Sequence, residues 1–598
     1  MTSRSSSSRY LEVAEDLRGN EGQWEAYEST GHCVVLAGPG SGKTKTLALK
    51  LARILAEDVR VPRGVACITF SQECSRELVR RLGALDVEES PRLFIGTVHG
   101  FCLRHLLVPY AQLANLGLPL PLKVASAEES RATFRMVGER LFGAGHPHRQ
   151  TEVDKHRRVH VDRASPSWQS EPELARFAEA YEADLRRQGL IDFEDLVIHG
   201  QRLVLRHDWV LPLVRARFPV LAVDEYQDLG TGLHEIVKRL VFSGGVRLFA
   251  VGDADQSVYG FNGADSSLLM QLAAHRDVQR VRLRLNYRCA DGIIQAAERA
   301  LGEPRGYRPL DETRTARVEQ VYRPNGLADQ AQYASQHLVP QALTSKPGRQ
   351  LGDIAILYRT AEIGDLAADA VRTAGFDFVR IDNAAPYRKC AVVSWIEDCA
   401  AWCSGGWRVA QPTLRGLIGR WCGFRQLQLS DAERHRESGR LTSFLWARRQ
   451  NGDGAEFLAA LRNELLDEML NSVSALSDQR VQVDAMLRAL RPGGALAGLD
   501  LARLGGRDEA PNQLNLLTFH SAKGCEYDVV IMLGLDEGVF PWGSEVGATL
   551  QESRRLFYVA LTRARDEVHL LYSGWNENRY GRRFNSGKSR FLLSLDTS

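Results

Sequence analysis

The segment from Cys33 to Leu55 restricts the fold more than any other part of the chain. An apolar run, Cys33 to Leu36, leads into Ala37-Gly-Pro-Gly-Ser-Gly-Lys43-Thr44, and a helical stretch from Lys45 to Leu55 follows directly. Strand, glycine-rich loop and helix in that order make a phosphate cradle, because backbone N–H groups and the positive end of the helix face the anion together. Such a loop places Lys43 on the β- and γ-phosphates and the Thr44 hydroxyl on Mg2+. Ala37 replaces the first glycine of the general pattern, and Gly38, Gly40 and Gly42 keep the loop permissive. With Ser41 and Lys45 these residues form the expected nucleotide contacts.

A strand of this kind needs parallel neighbours, and the sequence supplies them. Short apolar runs occur at Val65 to Phe70, Phe94 to Thr97, Val220 to Asp224 and Arg247 to Val251. A second series follows at Val281 to Leu285, Ile354 to Tyr358, Leu514 to Thr518, Val529 to Leu533 and Val568 to Tyr572. Apolar runs separated by helical stretches predict α/β architecture with two parallel sheets, one on each side of about residue 280. Between strands lie two long stretches of helical periodicity, roughly Leu106 to Gly200 and Ala384 to Pro511, which read as helical insertions.

A chain of 598 residues exceeds one hydrophobic core, so two to four domains are expected. Charge is balanced, with 76 Lys and Arg against 74 Asp and Glu, so any nucleic-acid surface has to be a local concentration. Arg131 to Arg163 holds eight cations against four anions, and Arg554 to Arg590 holds nine against three. The leader Met1 to Tyr10 has no apolar stretch, and no run of about 18 apolar residues occurs, so neither export nor a membrane span is expected. Ten cysteines without a C-x-x-C pair point to the reducing cytoplasm. Cys390, Cys399, Cys403 and Cys422 lack close ligand pairs, and the helical spacing around them predicts a buried helix rather than a metal site.

Asp224 and Glu225 follow four apolar residues, at the carboxyl end of a strand, where α/β proteins build ligand sites. Asp224 is placed to hold Mg2+ and Glu225 to orient and deprotonate an attacking water. Phosphoryl transfer also needs cations, and Arg288 and Arg563 are the candidates. Both belong to the second strand series, so the nucleotide is expected in a cleft between the two sheets.

These segments, taken in order from Leu17 to Leu592, resemble the UvrD/Rep/PcrA group of superfamily 1 helicases. Leu17-x-x-Asn20-x-x-Gln23 is similar to the motif that reads adenine, with Gln23 on the base edge. Ile68 to Glu73 and Gly96 to Gly100 match two strand-contacting motifs. Val251 to Ala264 matches the motif with Gln256 as γ-phosphate sensor and Phe261 as a base-stacking platform. Asn286-Tyr287-Arg288 matches the motif in which Tyr287 stacks on the nucleotide base. Thr518 to Tyr527 places Glu526 on the ribose, and Arg554 to Ala564 carries Arg563.

The resemblance implies two RecA-like domains, each with an insertion: 1A over 1–105 and 201–279, 1B over 106–200, 2A over 280–383 and 511–598, and 2B over 384–510. It further implies ATP and Mg2+ as cofactors and 3′-to-5′ movement on single-stranded DNA or 3′-tailed duplex. The strand would meet Phe70, Thr97, His99, Phe193, Tyr259, Phe261, Asn262 and His520. Glu73 and Asn262 stand where the group has Lys and Arg, Leu229-Gly230 replaces Thr-Asn, and Arg284 replaces an acidic or polar residue. Loss of two cations beside the track predicts weak unwinding by the chain alone and leaves room for a nuclease or other partner. A switch that grips DNA without moving, and a nuclease–helicase fusion, are the competing readings; the second is disfavoured by the short segment after the last motif. Repair, recombination, replication restart and anti-phage defence remain open as pathways.

Overall fold

The computed structural model describes residues 6–87, 90–258, 260, 263–382, 387, 390–409, 412–424, 430–449, 452–472, 476–494, 496–505, 513–577 and 582–596. Strands β1 (His32–Ala37), β2 (Val65–Thr69), β3 (Leu93–Thr97), β4 (Val220–Val223), β5 (Arg247–Gly252) and β6 (Val278–Leu283) form one parallel sheet, ordered β3-β2-β4-β5-β1-β6. All residues of β2 and β4 are buried, as expected of strands covered on both faces. A short parallel ladder, β7 (Leu285–Asn286) with β8 (Arg308–Pro309), lies between the sheets in sequence. The second sheet joins β9 (Arg317–Tyr322), β10 (Ile354–Tyr358), β11 (Phe378–Ile381), β12 (Leu514–Thr518), β13 (Tyr527–Met532) and β14 (Ala564–Tyr572). Its order is β11-β12-β10-β13-β14-β9, again parallel throughout.

One strand departs from the sequence expectation. The run at Val281 to Leu285 was expected to open the second series, yet β6 pairs with β1, with His32 opposite Val278 and Ala37 opposite Leu283. The chain leaves the first sheet after Leu283 because β6 is its edge strand, with Gln279, Arg280 and Arg282 turned to solvent. Edge strands also explain two elements the apolar runs did not reveal. β9 is nowhere fully buried and β11 alternates, so neither presents a continuous apolar run.

Between β3 and β4 the chain is helical, with long helices at Ala127–Phe142, Gln150–Val159, Pro172–Arg187 and Phe193–Arg206. Half of the basic run from Arg131 to Arg163 is neutralised here, which narrows the cationic face that the run suggests; Arg131, Arg135, Arg149 and Lys155 stay exposed. Arg140 pairs with Asp184, Arg158 with Glu194 and Arg163 with Glu182. Arg157 is 1% exposed and bonds Asp154, Glu182, Asp192 and Asp195. The carboxylates come from residues 154 to 195, so for these four arginines folding rather than sequence proximity supplies most of the partners. The second run, Arg554 to Arg590, is consumed in part: Arg565 pairs with Glu526 and Asp528, Lys588 with Asp596 and Arg590 with Glu537, while Arg563 has no carboxylate partner among the described residues.

A second helical region lies between β11 and β12. Its helix Ala391–Ala401 buries Cys399, with Cys403 just beyond, beside the stacked pair Trp395 and Trp421, whose ring centres are 5.3 Å apart. No helix among the described residues is long and apolar enough to cross a membrane.

Candidate nucleotide-binding cleft

The first sheet presents the carboxyl ends of its strands to the cleft. β1 runs into the loop 38–42, and the helix Lys43–Arg53 starts where the loop closes. Gly40 and Gly42 take φ of +66° and +79°, a region that favours glycine. A Cβ at Gly40 would meet Asn286 Oδ1 at 2.5 Å and one at Gly42 would meet Gln23 Nε2 at 2.3 Å, so both are also spatially required. The Lys43 ammonium is buried without a hydrogen bond, 3.9 Å from Glu225 Oε1. Lys45, one residue beyond Thr44, lines the cleft and pairs with Asp16 at 3.1 Å.

Asp224 follows β4 and is buried; its Oδ1 accepts the Glu225 N–H at 3.0 Å. Burial first, then the Glu225 charge, push its carboxyl up to about 7 against the pull of Lys43. Glu225 is half-buried; Lys43 and Lys523 outweigh the cost of desolvation and hold its carboxyl below the usual range. Its φ of +48° is the left-handed region, rare for a residue with a side chain, and such strain concentrates at functional sites. Gln227 Nε2 donates to Glu225 Oε2, while Gln227 Oε1 accepts the Asp253 N–H at 2.8 Å. Gln256, in the turn after β5, is buried and donates to Asp253 Oδ2 at 2.7 Å.

The second sheet contributes the starts of strands rather than their ends. Arg563 precedes β14 and is 2% exposed. Its guanidinium donates to Val559 O at 2.8 Å, Cys525 O at 3.3 Å and Thr562 Oγ1 at 3.2 Å, and among the described residues it has no carboxylate partner. Burial and Arg288 push it down to about 10. Arg288 follows β7, donates to Thr562 O at 3.1 Å and pairs with Glu526. Lys523, to which the motif reading gave no role, donates across the cleft to Asp228 Oδ2 at 2.5 Å and Gln256 O at 2.7 Å.

Tyr287 closes the cleft beside the loop. Its N–H bonds Gly40 O at 2.8 Å and its hydroxyl donates to Gln23 Oε1 at 3.1 Å, while Asn20 Nδ2 donates to the hydroxyl at 3.1 Å. Gln23 Nε2 in turn donates to Ser41 O at 2.9 Å, which fixes its amide against the loop. Lys43, Thr44, Asp224, Glu225, Gln256, Tyr287, Arg288, Glu526 and Arg563 therefore line one cleft.

These residues fit a magnesium nucleotide. An orphaned ammonium and a guanidinium held only by neutral oxygens suit a polyphosphate. Among the described residues no group of three His, Cys, Asp or Glu is placed to hold a metal. Mg2+ takes one or two protein oxygens and completes its shell with phosphate and water. Thr44 and Asp224 would supply the protein oxygens.

The expected strand contacts are less uniform. Phe193 opens the helix Phe193–Arg206, is 59% exposed and stands 5.0 Å from the His99 ring. Thr97 accepts the Gly100 N–H at 3.4 Å, and Phe70 is half-buried at the wall of the cleft. His99 and His520 are pushed down to about 4, by burial first and then by Arg158 and Arg359 respectively, and are neutral at physiological pH. Tyr259, Phe261 and Asn262 lie outside the described residues, as does the side chain of Glu73.

Two family descriptions match the chain. Residues 19–277 match the UvrD/REP helicase N-terminal domain and residues 445–574 the UvrD-like helicase C-terminal domain. The ATP-dependent DNA helicase Rep of Escherichia coli (strain K12) is 27% identical, over 97% of this chain and 94% of its own. DNA helicase II of Salmonella typhimurium is 28% identical over 96% and 87%, and the ATP-dependent DNA helicase PcrA of Bacillus subtilis is 25% identical over 96% and 85%.

Proposed function

The chain belongs to the UvrD/Rep helicase family, and from that premise we propose that it is an ATP-driven motor that moves 3′ to 5′ along single-stranded DNA. One observation carries the reading: two buried cations from opposite sheets, Lys43 and Arg563, point into one cleft without carboxylates to neutralise them fully. A ligand bearing several negative charges completes both at once, so binding draws the sheets together and release lets them part. Bound Mg2+ would neutralise phosphate charge as it develops.

The chain's own residues divide the remaining work. Lys43 holds the terminal phosphates, and Glu225, ionised and fixed by Gln227, orients a water and accepts its proton. Arg563 and Arg288 stabilise charge from the far side, which demands a closed cleft. Gln23 and Tyr287 recognise and cover the base. Phe193, His99, Phe70 and Thr97 are the proposed strand contacts together with His520, Tyr259, Phe261 and Asn262. The domain scheme proposed from the resemblance is kept, with 1A extended through β6. Action in the cytoplasm on 3′-tailed duplexes, in repair, recombination or anti-phage defence and beside a nuclease partner, belongs to the same proposal.

The test is displacement of streptavidin from biotin at the 5′ or 3′ end of a single strand, with ATP and Mg2+. Faster displacement from the 5′ end supports 3′-to-5′ movement. Strand-stimulated hydrolysis without displacement from either end leaves a gripping switch, and no strand-stimulated hydrolysis overturns the motor altogether.

A further inference from the structure

The turn Ala254–Gln256 follows β5 of the first sheet, yet the cations that hold it lie beyond that sheet in the chain, Arg305 just before β8 and Lys523 between β12 and β13. Arg305 makes a two-pronged pair with Asp255, Nε to Oδ2 at 2.6 Å and Nη2 to Oδ1 at 2.8 Å. Lys523 takes the other end of the turn through Gln256 O at 2.7 Å. Within the turn, Asp253 accepts the Asp255 N–H at 3.0 Å and the Gln256 side chain at 2.7 Å, so displacement of Asp255 passes directly to Gln256. A bidentate guanidinium–carboxylate pair fixes angle as well as distance, which a single contact does not.

The segment that carries Arg305 is itself rigidly mounted. It follows the helix Asp291–Leu301, which begins three residues after Arg288. At about 1.5 Å per residue that helix spans roughly 16 Å. Arg305 also donates to Glu303 at 2.6 Å, and the Tyr307 N–H bonds Glu298 Oε1 at 3.1 Å, tying the segment back to the helix. The Tyr307 ring then lies against the phosphate loop: a Cβ at Gly38 would fall 2.3 Å from Tyr307 Cζ. One helix thus bears Arg288 before its first turn and a strap to the first sheet after its last.

We propose that Arg305 is a positioning residue that sets Gln256 through Asp255, so that Gln256 and Arg288 reach the nucleotide in register only when the strap is closed. This rests on the motor reading, and it adds a coupling element that touches neither nucleotide nor strand. The arrangement ties the sensor turn of one sheet to the arginine of the other through a single lever. Loss of the pair leaves the phosphate loop, Glu225 and Arg563 in place, so nucleotide binding persists while turnover falls.

The experiment measures strand-stimulated ATP hydrolysis by the full chain carrying Arg305→Gln, Asp255→Asn, Arg305→Lys, or the exchange Arg305→Asp with Asp255→Arg. Arg305→Gln and Asp255→Asn are expected to lower kcat about tenfold or more with KM for ATP changed less than about threefold, the split that marks a transition-state effect. Arg305→Lys keeps the charge without the fork and is expected to fall between these and the wild type, and the exchange to recover part of the loss. Unchanged kcat in Arg305→Gln, or a fall matched by lower melting temperature and abolished in the better-folded Arg305→Lys, overturns the proposal. Wild-type protein without strand-stimulated hydrolysis would instead fail the motor reading, so the two failures are separable.

Discussion

Arg157 and Arg563 are almost equally buried, at 1% and 2% exposure, and their surroundings are opposite. Arg157 sits among four carboxylates in the first helical insertion, Asp154, Glu182, Asp192 and Asp195. Arg563 sits among carbonyl and hydroxyl oxygens in the cleft between the sheets. A buried guanidinium needs compensation, and in the first region the fold supplies it completely. In the second the compensation is only dipolar, which leaves attraction for an anion that arrives from outside. Equal burial therefore marks a structural hub in one place and a ligand site in the other. The difference lies in the partners.

Exchanging the two roles by mutation gives the largest expected effects. Arg563→Ala should lower kcat for ATP hydrolysis by about 10³-fold or more, the scale of an arginine supplied to a phosphoryl-transfer site. Its melting temperature should change little, and KM for ATP should rise far less than kcat falls. Steady-state kinetics with thermal melting checks this; a normal kcat with raised KM would make Arg563 a ground-state contact.

Arg157→Met should do the reverse. Leaving four carboxylates without their common cation should cost about 3–5 kcal/mol of stability, the scale for breaking a buried pair. The folded fraction should keep its kcat. Urea unfolding read beside hydrolysis at low temperature decides it, and lost kcat at unchanged stability would erase the contrast between the two arginines.

A smaller effect tests what the hub supports. Asp192 and Asp195 cap the helix that begins at Phe193, so the network aims that ring outward. Phe193→Ala should weaken oligo-dT binding by about 1–3 kcal/mol with no change in DNA-free hydrolysis, and affinity should fall with salt in both proteins. Equal binding by the variant in fluorescence anisotropy would make the exposed ring idle.

The smallest effect is one of pH. His99 has a folded value lowered from 6.5 to about 4, chiefly by burial, so its contribution to stability is complete above pH 6.5 and is lost as pH falls toward 4. His99→Gln should therefore flatten the melting-temperature profile over that window. An unchanged slope would mean that the imidazole is solvated in the folded chain.

The phosphate loop, the pair Asp224–Glu225 and most buried strands were legible in the sequence, because each depends on residues adjacent in the chain. Edge strands other than β3 were the exception. β6 was read into the wrong sheet and β9 and β11 were not read at all, since an edge strand buries only part of its surface and loses the continuous apolar run. Lys523 was visible in a motif, but nothing local signals that its ammonium crosses the cleft to Gln256.

Sequence alone determined that a phosphate cradle opens the first sheet and that an acidic pair ends a later strand; the structure placed the two strands apart in the sheet order. Backbone geometry follows from glycine positions and from apolar runs, and both are short-range properties. Tertiary structure alone decided which charges remain available. Part of each cationic run goes into ion pairs, whereas Lys43, and Arg563 from within the second run, become the incompletely compensated cations of the cleft. Electrostatic compensation depends on distance in space and on burial, and carboxylates tens of residues away in sequence settle it.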